Sequence, residues 1–525
     1  MKLVKSLLLG SAAGLVAAAG AQAADLPTRK AAPVDYVRVC AIHGPGFFYI
    51  PGSDTCIRIG GRARFEYVYG NVVNKTSDPS SFYAQGRLSI DARTQTDWGL
   101  LRAYFRTELN RRTGAGYFGS GSAARGAYAF SFGGGIAGVA SGFPSFAGQD
   151  TVGNRVQTGV AISAAFVQWG GLTAGRIQSF FDFYADNDTW FGITDSDVVT
   201  QALAYTYTFG SGFSATLSIE DPKERQRGPI AGLVSSAGAI MPAFSAPPFL
   251  NSVNYTQREN VPDVVGVLRV DQGWGSAQLS AAYHRIESSG SSIANLNPAI
   301  GGGYVTNPLV SSVAGGYGTV TGNAWAIQGG VSVNLPMIAA GDTLYLQAAY
   351  SKGNLSYANS GFPGYYSGLA NSIGGTTFST YDAVVGPTGS LKLTPAYSAL
   401  ISYVHYWTPT IRSGLFGGFE HISYDGGIRA AAGFAAGAAC PACLGTVAIN
   451  GAPYNPYSPY YVGGTQYNVG ANAIWSPVKD LDIGVDVFYY RNQMAHSQYD
   501  VNSGTGKLIK EDDAWYYRLR VNRDF

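Results

Sequence analysis

The segment Ala514–Phe525, AWYYRLRVNRDF, sorts its side chains into two classes by parity. Trp515, Tyr517, Leu519, Val521, Arg523 and Phe525 make one set, largely apolar. Tyr516, Arg518, Arg520, Asn522 and Asp524 make the other, largely polar. Successive side chains on an extended strand point to opposite faces, so this period of two predicts a strand with one apolar and one charged face. A soluble sandwich or a membrane barrel could use such a strand, and the rest of the chain decides between them.

The same alternation recurs along the sequence. Ile57, Ile59, Gly61, Ala63, Phe65, Tyr67 and Tyr69 alternate with Arg58, Gly60, Arg62, Arg64, Glu66 and Val68. Residues 82–95 carry Arg87, Asp91 and Arg93 on the polar parity, and after Asp97-Trp98-Gly99 the pattern resumes with Arg102, Tyr104, Arg106 and Glu108. Further strands are expected at 156–169, 172–179, 201–209, 213–220, 263–272, 274–286, 323–335, 342–351, 396–408, 411–424, 465–475, 481–493 and 514–525. That makes about sixteen, an even number within the range of bacterial single-chain barrels.

The connections alternate in length. Short links fall at Asp97-Trp98-Gly99, Gly170-Gly171, Gly210-Ser211-Gly212, Gly273, Pro336–Gly341, Thr408-Pro409-Thr410 and Ser476–Asp480. Long segments rich in Gly, Ser, Asn and Pro separate them, at 111–155, 221–262, 287–322, 352–395 and 425–464. A transmembrane barrel with short inner turns and long outer loops demands this pattern. Separate soluble domains have no reason to keep it, and would leave open sheet edges. The fold class read here is all-β, one sixteen-stranded antiparallel transmembrane barrel over residues 24–525.

Composition agrees. Only 13% of residues are charged, against a usual quarter, while Gly reaches 70 and Tyr 35 of 525 residues. The nearest candidate for a spanning helix, 430–449, is uncharged but rich in Ala and Gly and interrupted by Pro441, and reads as a loop. A secreted β-solenoid would share the glycine content but should show a fixed short repeat, and none is visible. At the other end Lys2 and Lys5, the apolar run from Leu7 to Ala19 and Ala21-Gln22-Ala23 form a secretory signal over residues 1–23. Removing it takes the formal charge from +2 to 0, which argues against a nucleic-acid partner.

Two stretches carry a family resemblance. Tyr36–Arg64, YVRVCAIHGPGFFYIPGSDTCIRIGGRAR, resembles the mature N-terminus of the alphaproteobacterial general porins through VRVC, FFYIPG and TCIRIGG. Phe166–Asp182, FVQWGGLTAGRIQSFFD, is similar to that family's fourth-to-fifth strand hairpin leading into its third loop. The resemblance implies a homotrimer of barrels in the bacterial outer membrane, each with a water-filled pore narrowed by an inward-folded third loop. It implies outer-membrane lipids and the barrel-insertion machinery as partners, with Phe525 as the terminal insertion signal. Small hydrophilic solutes and ions would pass, with no cofactor, metal or nucleic acid.

Inward side chains of a barrel this wide line water. Arg58, Arg62, Arg64, Arg87, Arg93, Arg102 and Arg106 share the polar parity of three consecutive strands and should form a basic patch. Residues 180–200 hold Asp182, Asp186, Asp188, Asp195 and Asp197 and no Lys or Arg. The expectation is a basic wall facing an acidic loop, with Phe180, Phe181, Phe183 and Tyr184 pinning the loop to the wall. Charges at the narrowest point set ion selectivity; the sign stays open, with the loop acids favouring cations. The competing assignments are pairing of these arginines with Glu66, Asp91 or Glu108, and turn roles for the aspartates.

The resemblance, with an oxidising exterior, implies a Cys40–Cys56 disulfide rather than two free thiols. Cys440-Pro441-Ala442-Cys443 lacks a second Cys or His pair and fits a small loop disulfide better than a metal site. Among alternatives, a barrel enzyme needs a His beside a nucleophile or carboxylate pair, and His43, His284, His405, His421 and His496 show no such spacing. A siderophore transporter needs a plug domain, for which the segment before the first strand is too short. A sugar- or anion-specific channel is the closer rival, although Tyr83, Tyr104, Tyr345, Tyr490 and Tyr516 come from scattered strands and form no evident track.

Overall fold

A computed structural model of the chain describes residues 38–70, 79–113, 156–184, 188–190, 194–226, 230–233, 251–257, 260–295, 303–305, 320–359, 369–373, 376–385, 391–439, 445–457, 461–500 and 506–525. The expected signal segment, Asp186, Cys440 and Cys443 lie outside these. The chain divides into a small unit ending at Ile57 and a large one, Arg58–Phe525. In the small unit Cys40 and Cys56 form a disulfide with Cα atoms 6.0 Å apart. Both cysteines and Phe47 are buried, and the short strand Phe48–Tyr49 pairs with Cys56 and Ile57.

The large unit is a closed antiparallel barrel of sixteen strands. They are β1 (Cys56–Gly70), β2 (Ser80–Thr96), β3 (Gly99–Thr113), β4 (Val156–Trp169), β5 (Leu172–Gln178), β6 (Val199–Gly210), β7 (Phe213–Glu220), β8 (Asp263–Gln272), β9 (Gly275–Asn295), β10 (Val320–Asn334), β11 (Thr343–Lys352), β12 (Pro395–Thr408), β13 (Ile411–Ile422), β14 (Gly464–Val478), β15 (Leu481–Tyr499) and β16 (Leu508–Asp524). Each pairs with its sequence neighbour, and β16 returns to β1 in a register running from Arg62↔Asp524 to Gly70↔Tyr516. Every strand expected from periodicity is present. The main boundary differences are at the outer ends, where β9 reaches Asn295, β15 reaches Tyr499 and β16 starts at Leu508.

Alternation makes the barrel two-faced. Leu101, Phe105 and Leu109 on β3 are exposed outward, as are Leu203, Tyr205 and Tyr207 on β6 and Trp515, Tyr517 and Leu519 on β16. In water these would be an aggregation hazard; facing lipid tails they are at home. The opposite parity carries the polar residues, and a buried cluster inside joins Val68 of β1, Leu400 of β12, Phe416 of β13, Phe488 of β15 and Tyr516 of β16.

The outer connections hold more structure than expected. Ile230–Leu233 and Asn251–Gln257 pair with each other, and the latter extends the sheet beside the outer half of β9. Residues 430–439, read as loop, belong instead to the helix α1 (Gly426–Ala439) in the seventh outer connection. Its alanines are strong helix formers, and the Asp425 carboxylate accepts from the N–H groups of Gly427 (2.9 Å) and Ile428 (3.2 Å), capping the first turn. Among the described residues no helix is long and apolar enough to cross a membrane.

The seam between first and last strands leaves no spare room. Gly61 and Phe525 exchange backbone hydrogen bonds of 2.9 and 3.0 Å. A Cβ on Gly61 would sit 2.4 Å from the Arg87 carbonyl oxygen and 2.4 Å from the Phe525 ring. The ring can move but the neighbouring strand's backbone cannot. Gly61→Ala should therefore cost about 1–3 kcal/mol by overpacking. The expected result is a lower urea midpoint for the heat-modifiable folded band on gels, and an unchanged midpoint would refute this account of the seam.

Candidate channel constriction

Three neighbouring strands build the basic wall. On β1 Arg62 donates from Nε to Asp524 (2.6 Å), and Arg64 approaches Glu66 at 3.7 Å. Glu66 also takes Arg520 at 2.6 Å and Arg518 at 3.6 Å, so one buried carboxylate serves three guanidiniums. On β2 and β3 Arg87 pairs with Glu108 at 2.7 Å, and Arg93 and Arg102 converge on Asp91 at 2.8 and 3.0 Å. Arg106 donates to Ser163 Oγ (2.8 Å) and lies 3.9 Å from Glu108. Arg58 is exposed near the start of β1.

The pairs of β2 and β3 share an orientation that Arg62–Asp524, at 16% and 42% exposure, does not. The side chains of Arg87, Arg93, Arg102 and Arg106 are 18–29% exposed, whereas those of Asp91 and Glu108 are 1–2% exposed. The carboxylates lie beneath and the guanidiniums face the lumen. The competing assignment, pairing with Glu66, Asp91 or Glu108, therefore holds for Arg64, Arg87, Arg93 and Arg102, and at Asp91 and Glu108 acid lies below and base above.

The described residues of the third connection, 179–184, 188–190 and 194–198, turn inward instead of leaving the barrel, and their course can be followed by what they touch. The Phe181 carbonyl accepts from Gln328 (2.9 Å) on β10 and from Gln278 (3.3 Å) on β9. The Phe183 ring occupies the place of a missing side chain at Gly330, where a Cβ would lie 2.2 Å from it. The Tyr184 N–H donates to Gln347 (3.0 Å) on β11, and its ring meets Tyr345 edge-on at 5.3 Å. Beyond these, Asp188 binds Arg412 on β13 at 3.0 Å. The Trp190 carbonyl accepts from Arg518 (2.5 Å), and its indole lies 4.5 Å beneath Arg520, both on β16. The aromatic residues Phe180 to Tyr184 pin the loop as their spacing suggested, and charged contacts extend the attachment across the lumen.

The described loop aspartates are engaged with protein. Asp182, with a side chain 2% exposed, accepts from Ser196 Oγ (2.5 Å), the Val198 N–H (2.7 Å), Gln178 Nε2 (2.6 Å) and Arg225 Nη2 (2.9 Å). Asp188 pairs with Arg412, which also holds Asp482 at 3.0 Å. Asp195 is buried, and Asp197 accepts from Gln178 at 2.9 Å.

Arg225 was not singled out by sequence, where it sits in the polar run DPKERQRG and reads as a solvated charge. It lies at the root of the fourth connection and is 1% exposed. Besides Asp182 it donates to Ser196 Oγ (2.9 Å) and the Ser356 carbonyl (3.4 Å), and it stacks 4.0 Å over the Tyr357 ring. Tyr357 in turn donates to Asp263 (2.6 Å), which also meets His284 Nδ1 at 2.6 Å. Glu220 accepts from Ser179 Oγ (2.6 Å) and the Phe180 N–H (3.0 Å). Burial lowers the Arg225 pKa, but the neighbouring Asp182 carboxylate first, with Tyr357 and Glu220, more than offsets this and holds it above the ordinary value. It therefore stays cationic and ties both ends of the third loop to the fourth and sixth.

A closed sixteen-stranded barrel with apolar outward faces, a charged lumen and a loop seated inside it defines a channel of the bacterial outer-membrane class. The family model described as the Porin subfamily matches residues 25–517, and the chain belongs to that family. Porin Omp2b of Brucella canis and of Brucella abortus are each 30% identical over 292 residues, 54% of this chain. The match spans 66% of those relatives' own length. Among solved structures, the outer membrane channel DcaP of Acinetobacter baumannii aligns with a TM-score of 0.53 at 13% identity, covering 91% of this chain and 99% of that one. These matches place the protein in the bacterial outer membrane.

Arg225→Met removes the cation from a buried pair and leaves Asp182 and Glu220 uncompensated, which should cost about 3–5 kcal/mol. The expected outcome is a folded barrel whose third loop becomes a protease target and whose single-channel current turns noisy. Pairing it with Asp182→Asn should recover part of the loss. Wild-type protease resistance and quiet current in the single variant would remove Arg225 from this role.

Proposed function

We propose that this chain is a passive outer-membrane diffusion channel for small hydrophilic solutes and ions, with its narrowest passage between the arginine wall of β1–β3 and the third loop. The observation that carries this reading is the course of that loop, which is seated on inward side chains from β9 to β16 by contacts such as Gln328 to Phe181 and Arg518 to Trp190. The guanidiniums of Arg87, Arg93, Arg102 and Arg106 stay in contact with lumen water. Such a surface holds ordered water that apolar solutes cannot replace, so hydrophilic solutes pass preferentially. Family membership supports three further parts of the proposal: assembly as a homotrimer, removal of residues 1–23 as a signal, and use of the strand ending at Phe525 by the insertion machinery.

The test is single-channel recording of the refolded full-length protein in a planar bilayer. The expected result is large ohmic openings in steps of three, with no block by any single sugar. Small openings that one sugar blocks at low concentration would replace this reading with a substrate-specific channel. Silence from a correctly folded barrel would reject both.

A further inference from the structure

We infer that the channel prefers anions, the reverse of what the loop aspartates suggest in sequence; this rests on the channel reading above. Along β1–β3 the described inward side chains include seven arginines, from Arg58 to Arg106, but only three carboxylates, Glu66, Asp91 and Glu108. Those three lie beneath the guanidiniums, at 1–2% exposure. Glu66 is further claimed by Arg518 and Arg520 of β16. The pairs at Asp91 and Glu108 are therefore dipoles with their positive ends toward water; Arg62–Asp524 runs the other way, at 16% and 42% exposure, but seven arginines still outnumber Glu66, Asp91, Glu108 and Asp524.

The described acids of the third loop offset little of this excess. A carboxylate bonded to a cation, as Asp182 is to Arg225 and Asp188 to Arg412, or shut away from water, as Asp195 is, contributes little potential at the pore axis; Asp197, half-buried beside Gln178, is the described loop acid that remains. Exposed guanidiniums contribute most, because the low-dielectric barrel wall directs their field into the narrow water column. The preferred ligands of this path are small inorganic and organic anions, passing from one guanidinium to the next.

Two measurements on the wild-type trimer test this. The first is the zero-current potential under a gradient of potassium chloride at neutral pH, whose sign should be that set by chloride. The preference should be on the order of severalfold near 0.1 M salt, where the screening length is about 10 Å, and should fade near 1 M, where it is about 3 Å. The second is ion substitution: exchanging chloride for acetate should lower the conductance more than exchanging potassium for lithium. A variant adds specificity. Arg93→Gln with Arg102→Gln and Arg106→Gln uncovers Asp91 and removes three wall cations, and should move the potential toward the potassium side, while Arg102→Lys with Arg106→Lys should keep the chloride sign. Wild-type channels that favour potassium, or show no preference at 0.1 M, would overturn the inference while leaving the porin reading standing. Absence of channels would instead overturn that reading. If the triple variant fails to fold, the two wild-type measurements decide alone.

Discussion

Inside a bilayer there is no water to satisfy a peptide group, so every backbone N–H and C=O must find its partner within the protein. A sheet meets that demand only by closing on itself. Here closure is made by β16 against β1, from Arg62↔Asp524 upward, and everything else is arranged on that ring. Closure fixes parity, since a shift of one residue would turn every arginine of β1 out to the lipid and every aromatic into the lumen. It also explains the packing at Gly61, where the backbones of β1 and β2 and the Phe525 ring approach too closely for any side chain.

Given the ring, the lumen is a surface to be furnished. Half of it receives the third loop. β5 spans only seven residues before the chain turns inward. The loop then exchanges strand pairing for side-chain hydrogen bonds from glutamines and arginines of the wall, with an aromatic ring set where β10 has glycine. Its root depends on Arg225, which brings together residues from three separate outer connections. On β2 and β3 the charges are instead stacked so that base covers acid at Asp91 and Glu108. One interior is thus furnished in two ways, by a seated loop and by a ladder of guanidiniums.

Much of this was legible in the sequence, for a physical reason. Strand parity is a local property, so the period of two in Ile57–Tyr69 or Trp515–Phe525 discloses both the strand and the face that meets lipid. Turn length is local too, and the regular exchange of short and long links disclosed the barrel. The helix α1 escaped because an uncharged Ala- and Gly-rich run fits a loop as well as a helix; the capping Asp425 just before it was the available signal. Partners were the hardest to read. That Asp182 belongs to Arg225, and Asp188 to Arg412, depends on segments far apart in the chain being folded together. Sequence showed five aspartates in one loop and could not show that each described one was already engaged. Cys440, Cys443 and Asp186 lie outside the described residues.

Among the described residues, the third loop meets the fourth and sixth connections through Arg225 and Tyr357, close to the strand ends. The sixth connection goes on to pack behind this anchor: Phe378, Tyr381, Ala383 and Val384 are buried, and the Asp382 carboxylate accepts from the Leu355 N–H at 2.7 Å. A loop seated in this way is held by the fold of its neighbours, and the residues that keep its position extend well beyond those that touch it.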